Sequence, residues 1–129
     1  MPPRAVIIDT NFLLIPFKFR IDILTELERL IDVHRQFVIT SKTVKELENL
    51  AENAGKQGAG ARLALKILDA NKKGIEIVES NKPVDLWIEE YAEKHGAIVC
   101  TNDIELKKKL KDNGIKVVSL RGKTKIDYV

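Results

Sequence analysis

The sequence predicts an α/β fold, a three-layer α/β/α sandwich around a central parallel sheet. Two observations carry this reading. Short apolar runs of strand length alternate with segments whose apolar residues recur at helical spacing. Alternation of this kind builds a parallel sheet between helices through right-handed crossovers. The first and fourth runs are also apolar nearly throughout, as strands covered on both faces must be. The length, 129 residues, suits one domain covering residues 1–129.

In chain order, the expected strands are Ala5-Val6-Ile7-Ile8, Phe37-Val38-Ile39, Ile75-Glu76-Ile77-Val78, Ala97-Ile98-Val99-Cys100 and Ile115-Lys116-Val117-Val118. Helical spacing recurs at Ile23/Leu24/Leu27/Leu30/Ile31, Val44/Leu47/Leu50/Ala51 and Leu63/Ala64/Ile67/Leu68. It recurs again at Val84/Ile88/Tyr91/Ala92 and Leu106/Leu110. The apolar run Phe12-Leu13-Leu14-Ile15-Pro16-Phe17 is expected in the core, the alternative being an exposed patch for a partner. The Gly-rich stretch over residues 53–60 reads as a helix–helix connector. It lacks the Lys-Ser/Thr ending of a phosphate loop and follows a helix, not a strand.

Apolar residues form 44% of the chain and charged residues 32%, which argues against disorder. Aromatic residues are only 5%, so recognition by a row of stacked bases has few residues to work with. Cys100 is the one cysteine, which excludes an internal disulfide and a multi-cysteine zinc site. Neither a signal sequence nor a membrane-length apolar run is present, and the protein is expected to be soluble and cytoplasmic. The net charge of +3 is unevenly spread: residues 104–129 hold eight basic and three acidic side chains. That basic tail is either a polyanion-binding face, with Lys107, Lys108 and Lys111 as candidates, or a solvated helix face.

Four carboxylates fall where chemistry would be expected. Asp9 directly follows the first strand and Asp103 follows the fourth by two residues. Ligands of open parallel sheets bind outside the carboxyl ends of the strands, where strand order reverses. Glu46 lies one turn into the helix after the second strand, and Asp85 in the first turn after Pro83. Helices that follow strands begin at that same edge. Thr10 and Asn11 on one side, and Thr101 and Asn102 on the other, can orient the acids by hydrogen bonds. Clustered carboxylates repel unless cations neutralise them. An oxygen-only set, with water completing the coordination, suits one or two Mg²⁺ or Mn²⁺ ions rather than zinc. Each acid also has a purely structural reading: Asp9 and Asp103 as helix or turn caps, Glu46 in a Thr43-x-x-Glu46 capping box, Asp85 at a helix dipole. Their coincidence at one sheet edge favours the joint site. His34 and His95 lack ligand spacing and read as surface residues.

These motifs resemble the PIN-domain nuclease family. Ile7-Ile8-Asp9-Thr10-Asn11 is similar to its N-terminal motif, and Ser41-x-x-Val44-x-Glu46-Leu47 to its second acidic motif. Asp85 within Pro83-Val84-Asp85-x-x-Ile88 matches the third acid. The segment from Ala97 through Thr101-Asn102-Asp103-x-x-Leu106 resembles the closing strand–helix motif. The run Asp9-Thr10-Asn11-Phe12-Leu13-Leu14-Ile15-Pro16 looks closer to archaeal PIN proteins related to the ribosomal-RNA-processing endonuclease group than to VapC-type toxins. The resemblance implies metal-dependent endonucleolytic cleavage of RNA by in-line attack of water, leaving a 5′-phosphate and a 3′-hydroxyl. Asp9 and Asp103 would hold a metal, with Glu46 and Asp85 completing the site directly or through water. RNA is the implied partner, and an antitoxin, a ribosome-assembly partner and a homodimer stay open.

Other readings fit less well. A phosphoacceptor receiver domain needs paired acids after its first strand and a Lys after its fifth, where Asp9 stands alone and Ser119 follows. A haloacid-dehalogenase-like phosphatase needs a second Asp where Asn11 stands. The remaining alternatives are a VapC-type toxin ribonuclease of a toxin–antitoxin pair and a non-catalytic RNA-binding or assembly domain of the same fold.

Overall fold

The computed structural model describes residues 2–129. Strands β1 (Arg4–Ile8), β2 (Arg35–Thr40), β3 (Ile75–Val78), β4 (Ile98–Cys100), β5 (Val117–Arg121) and β6 (Lys125–Tyr128) form one sheet in the order β3-β2-β1-β4-β5-β6. Pairing is parallel from β3 across to β5. Strand order therefore reverses at β1, whose Ile8 pairs with Cys100 of β4.

Period-two alternation decides which side chains face which layer. Val6 and Ile8, Phe37 and Ile39, Ile98 and Cys100, and Val118 point to one face. There they meet Phe12, Leu13, Ile15, Ile23, Leu27, Leu47, Ala61 and Ala64. These come from helices α1 (Thr10–Leu13), α2 (Ile15–Phe19), α3 (Ile23–Leu30), α4 (Ser41–Ala51) and α5 (Gly55–Ala70). Ile7, Val38, Val99 and Val117 point the other way, to Trp87, Ile88, Ala92, Leu106 and Leu110. That layer is built by α6 (Val84–His95) and α7 (Ile104–Asp112). The three-layer sandwich is therefore present, with α1–α5 on one face and α6–α7 on the other. No helix among the described residues is long and apolar enough to cross a membrane.

Three local features differ from the sequence reading. The sheet is mixed: β6 pairs antiparallel with β5 after a hairpin turn in which Gly122 takes φ 61°. Its sequence, Lys-Ile-Asp-Tyr, buries only Ile126, so no apolar run announced it. The apolar segment after β1 folds into the two short helices α1 and α2, with Phe12, Leu13 and Ile15 buried but Phe17 exposed. The Gly-rich stretch is a connector only as far as Ala54, and from Gly55 onward it is helix.

One glycine of α5, Gly58, is there for packing. A Cβ on Gly58 would sit 1.7 Å from the Asn53 carbonyl oxygen, so α5 can approach the end of α4 only without a side chain there. Arg62 fastens the same junction by donating to the Ala51 carbonyl at 2.7 Å. A Cβ on Gly60 would instead make ordinary contact with Phe17, at 3.5 Å. Gly58→Ala should therefore destabilise by about 1–3 kcal/mol, the clash outweighing alanine's helix propensity. Gly60→Ala should be neutral or stabilising by up to about 1 kcal/mol. Urea melts of the two variants check this; equal midpoints would show that the α4–α5 junction yields freely.

Candidate active site

The reversal of strand order at β1 and β4 opens a crevice beyond their carboxyl ends. A cleft of about 440 Å³ there is lined by Asp9, Thr10, Asn11, Leu14, Glu46, Asn49, Leu50, Val84, Asp85 and Asp103. The structure thus brings the four predicted acids to one cavity, although they arise from four separate segments of the chain.

Asp9 is the buried member, 4% exposed. It caps α1, its Oδ1 accepting from the Thr10 backbone N–H at 2.8 Å. Its Oδ2 accepts from the Thr101 hydroxyl at 2.7 Å and from the Asn11 side-chain amide at 3.3 Å. Thr101 has a second task, since its hydroxyl oxygen accepts the Asp103 backbone N–H at 3.1 Å. Asn11 also works twice, accepting the Asn102 backbone N–H at 3.0 Å. Asn102 turns its side-chain oxygen to β5, where it accepts from Ser119 at 3.0 Å and from the Leu120 N–H at 2.9 Å. One hydrogen-bonded chain thus joins the ends of β1, β4 and β5.

The other acids are held differently. Glu46 accepts from the Thr10 hydroxyl. The capping-box reading of Glu46 fails, because α4 begins earlier and is capped by Thr40, while Thr43 is buried inside it. Asp103 does cap its helix, Oδ1 accepting the Leu106 N–H at 3.0 Å, which leaves Oδ2 without a hydrogen bond among the described residues. Asp85 sits in the first turn of α6, exposed, and that helix has no side-chain cap.

Electrostatics mark these groups as neighbours. Burial pushes the Asp9 carboxyl up from 3.8 to about 6, the charges of Asp85 and Glu46 add to the rise, and the bonds from Thr101 and Thr10 oppose it. Asp85 is raised too, first by desolvation, then by Asp103, Glu46 and Glu89, with Lys109 pulling the other way. Such a cup invites a hard divalent cation, and its donors are all oxygen. Among the described residues no group of three or more acidic, imidazole or thiol side chains stands close enough together to hold a metal ion. The acids offer an open cup in which water must supply part of any coordination.

A model described as a PIN like domain matches residues 6–123. The chain belongs to the PIN-like domain family. Ribonuclease VapC9 of Archaeoglobus fulgidus is 37% identical over 119 residues, covering 92% of this chain and 84% of the relative. Ribonuclease VapC4 of Methanocaldococcus jannaschii is 37% identical over 120 residues, covering 92% of this chain and 91% of the relative. Among solved structures, the PIN domain endonuclease Utp24 superposes with a TM-score of 0.79 at 28% identity, covering 99% of this chain and 92% of that one.

Within this PIN-like fold, two residues near the acids were not singled out by the sequence. Asn49 lies one helical turn beyond Glu46 and lines the cup, a spacing visible in the sequence once α4 is placed. Lys109 is the cation whose charge reaches Asp85. The predicted Lys107, Lys108 and Lys111 line a separate cleft with Asp112 and Val129, and Lys107 donates to Ser119 at 3.3 Å.

The raised Asp9 pKa has a definite consequence for stability. An acid that is weaker in the folded state costs nothing below its unfolded pKa, and its ionisation penalty grows as pH climbs to the folded value. Without metal, the folded protein should lose on the order of 3 kcal/mol from this group between about pH 4 and pH 6, and keep that penalty above. Asp9→Asn retains a capping side chain and removes the charge. In chelator it should melt higher than wild type at pH 7.5, with the gap closing by pH 4.5. Parallel pH dependences of the two melting temperatures would show that Asp9 carries no such penalty.

Proposed function

We propose that this chain is a divalent-metal-dependent endoribonuclease in which Asp9, Glu46, Asp85 and Asp103 hold one or two Mg²⁺ or Mn²⁺ ions. The observation that carries the reading is the convergence of these acids on one cleft at the strand-order reversal, with Asp9 kept buried there by dedicated hydrogen bonds. The chain's similarity to two ribonucleases at 37% identity and to the structure of a PIN domain endonuclease supports it. A divalent cation, when bound, supplies Lewis-acid polarisation of the scissile phosphate and activates water for attack.

The chain's own groups prepare that chemistry. Thr101 and the Thr10 N–H fix both oxygens of Asp9, so the carboxylate does not reorient when charge develops nearby. Thr10 ties Glu46 to the same corner, and the helix cap holds Asp103 with one oxygen turned free. Leu14, Leu50 and Val84 give the cleft apolar walls. In the reaction water adds to phosphorus, the bond to the 3′ oxygen breaks, and that oxygen leaves with a proton, so the products are a 5′-phosphate and a 3′-hydroxyl.

The resemblance of the run from Asp9 to Pro16 favours processing of ribosomal RNA as the setting. A second reading, a toxin ribonuclease restrained by a small antitoxin protein, is favoured by the two VapC relatives. Neighbouring genes separate them, since a short upstream partner gene accompanies the second.

The central test is cleavage of 5′-labelled RNA with Mn²⁺ or with chelator. Wild type should cut only with metal. Asp9→Asn and Asp103→Asn should lose at least about a hundredfold in rate while still binding RNA, as expected when groups that act on the transition state are removed. On the same samples, saturating metal should raise wild-type stability, by roughly 2.7 kcal/mol at a hundredfold excess over the dissociation constant, and raise Asp9→Asn less. Cleavage by Asp9→Asn at the wild-type rate, with an equal response to metal, would sink the assignment.

A further inference from the structure

Beside the acid cup lies a larger cleft, about 890 Å³, formed where α2 meets the start of α5. Its floor is apolar, made by Leu14, Pro16, Phe17 and Leu63, and its rim carries Lys18, Arg20 and Lys56. Leu14 lines both cavities, so the two form one continuous surface. We propose that this cleft is the substrate-strand groove: a single-stranded segment of RNA lies in it next to the scissile phosphate, with a base stacked on Phe17 and phosphates held by Arg20 and Lys56. The proposal rests on the ribonuclease reading and adds where the substrate lies.

Three observations converge on it. First, an acidic cup repels a polyanion, so the strand needs cations beside the cup. Lys18, Arg20 and Lys56 flank the cleft, and none makes an ion pair or a side-chain hydrogen bond among the described residues. Second, Phe17 is 40% exposed although it belongs to an otherwise core-forming run. The buried Gly60 backs one side of its ring and leaves the rest open to the cleft. An apolar floor with a basic rim matches a nucleic acid strand, whose bases are apolar-faced and whose backbone is anionic. Third, Arg20 is the one non-glycine residue with positive φ among those described, at 56°. Glycine adopts that conformation without strain, so the Arg20 side chain can be removed there at no backbone cost.

The last point makes the test selective. Arg20→Gly removes the guanidinium while relaxing the backbone, and Phe17→Leu keeps an apolar side chain without the ring; neither should lower the melting temperature appreciably. Binding of a fluorescent single-stranded oligoribonucleotide is measured in the non-cleaving Asp9→Asn background. Phe17→Leu should weaken it about tenfold, within the range that base–aromatic stacking supplies. An oligonucleotide of abasic sites should bind with and without Phe17 equally. Arg20→Gly with Lys56→Gln should lower the slope of log affinity against log salt by roughly 0.7 for each phosphate no longer neutralised. If wild type cuts RNA, Asp9→Asn does not, and the groove variants bind as tightly as their background, the groove assignment fails alone. If wild type neither binds nor cuts RNA, the ribonuclease reading and the groove fall together.

Discussion

Everything at the functional edge of this protein depends on one hydrogen bond, from the Thr101 hydroxyl to the buried carboxylate of Asp9. It crosses the seam between β1 and β4, the pair at which the sheet changes direction. Without it, a carboxylate at 4% exposure would lack a principal partner in a region already crowded with negative charge. The same hydroxyl accepts from the Asp103 backbone, so one side chain sets the position of two acids at once. Asn11 and Asn102 repeat the device one step outward and extend it to β5.

That arrangement explains why the site is open on one side and rigid on the other. Asp9 and Asp103 are fixed by bonds to backbone and hydroxyl groups, whereas Glu46 and Asp85 sit on exposed helical turns. The rigid pair supplies direction, and the exposed pair supplies charge that can adjust to what binds. Clustering these acids costs stability in the absence of a counterion, a cost the apolar layers on both faces of the sheet must carry.

How much of this is legible in the sequence follows from periodicity. The five parallel strands and the five longer helices each carry enough apolar residues in sequence to show a run or a period, and each is readable. Helices α1 and α2 span four and five residues, too few to show a period, and their apolar run reads equally well as a loop. Strand β6 buries one residue and leaves no run to find. Asp9 and Asp103 stand out because strand ends can be located; Glu46 is ambiguous because Thr43-x-x-Glu46 imitates a cap, and only the true cap at Thr40 resolves it. The exposed ring of Phe17 and its basic surroundings are invisible, since Lys56 is brought to Arg20 only by the packing of α5 on α2.

The hydrogen bond between Asp9 and Thr101 joins residues 92 positions apart. In folding terms this is a contact of very long range, made only after a large loop has closed. Asp9 has only its neighbours Thr10 and Asn11 to bond until β4 brings Thr101, and the Asn102 side chain gains its partners only when β5 follows. A nascent chain therefore keeps its acids unassembled until both strands are available. An activity directed at RNA is thus withheld by topology until β1 and β4 have paired.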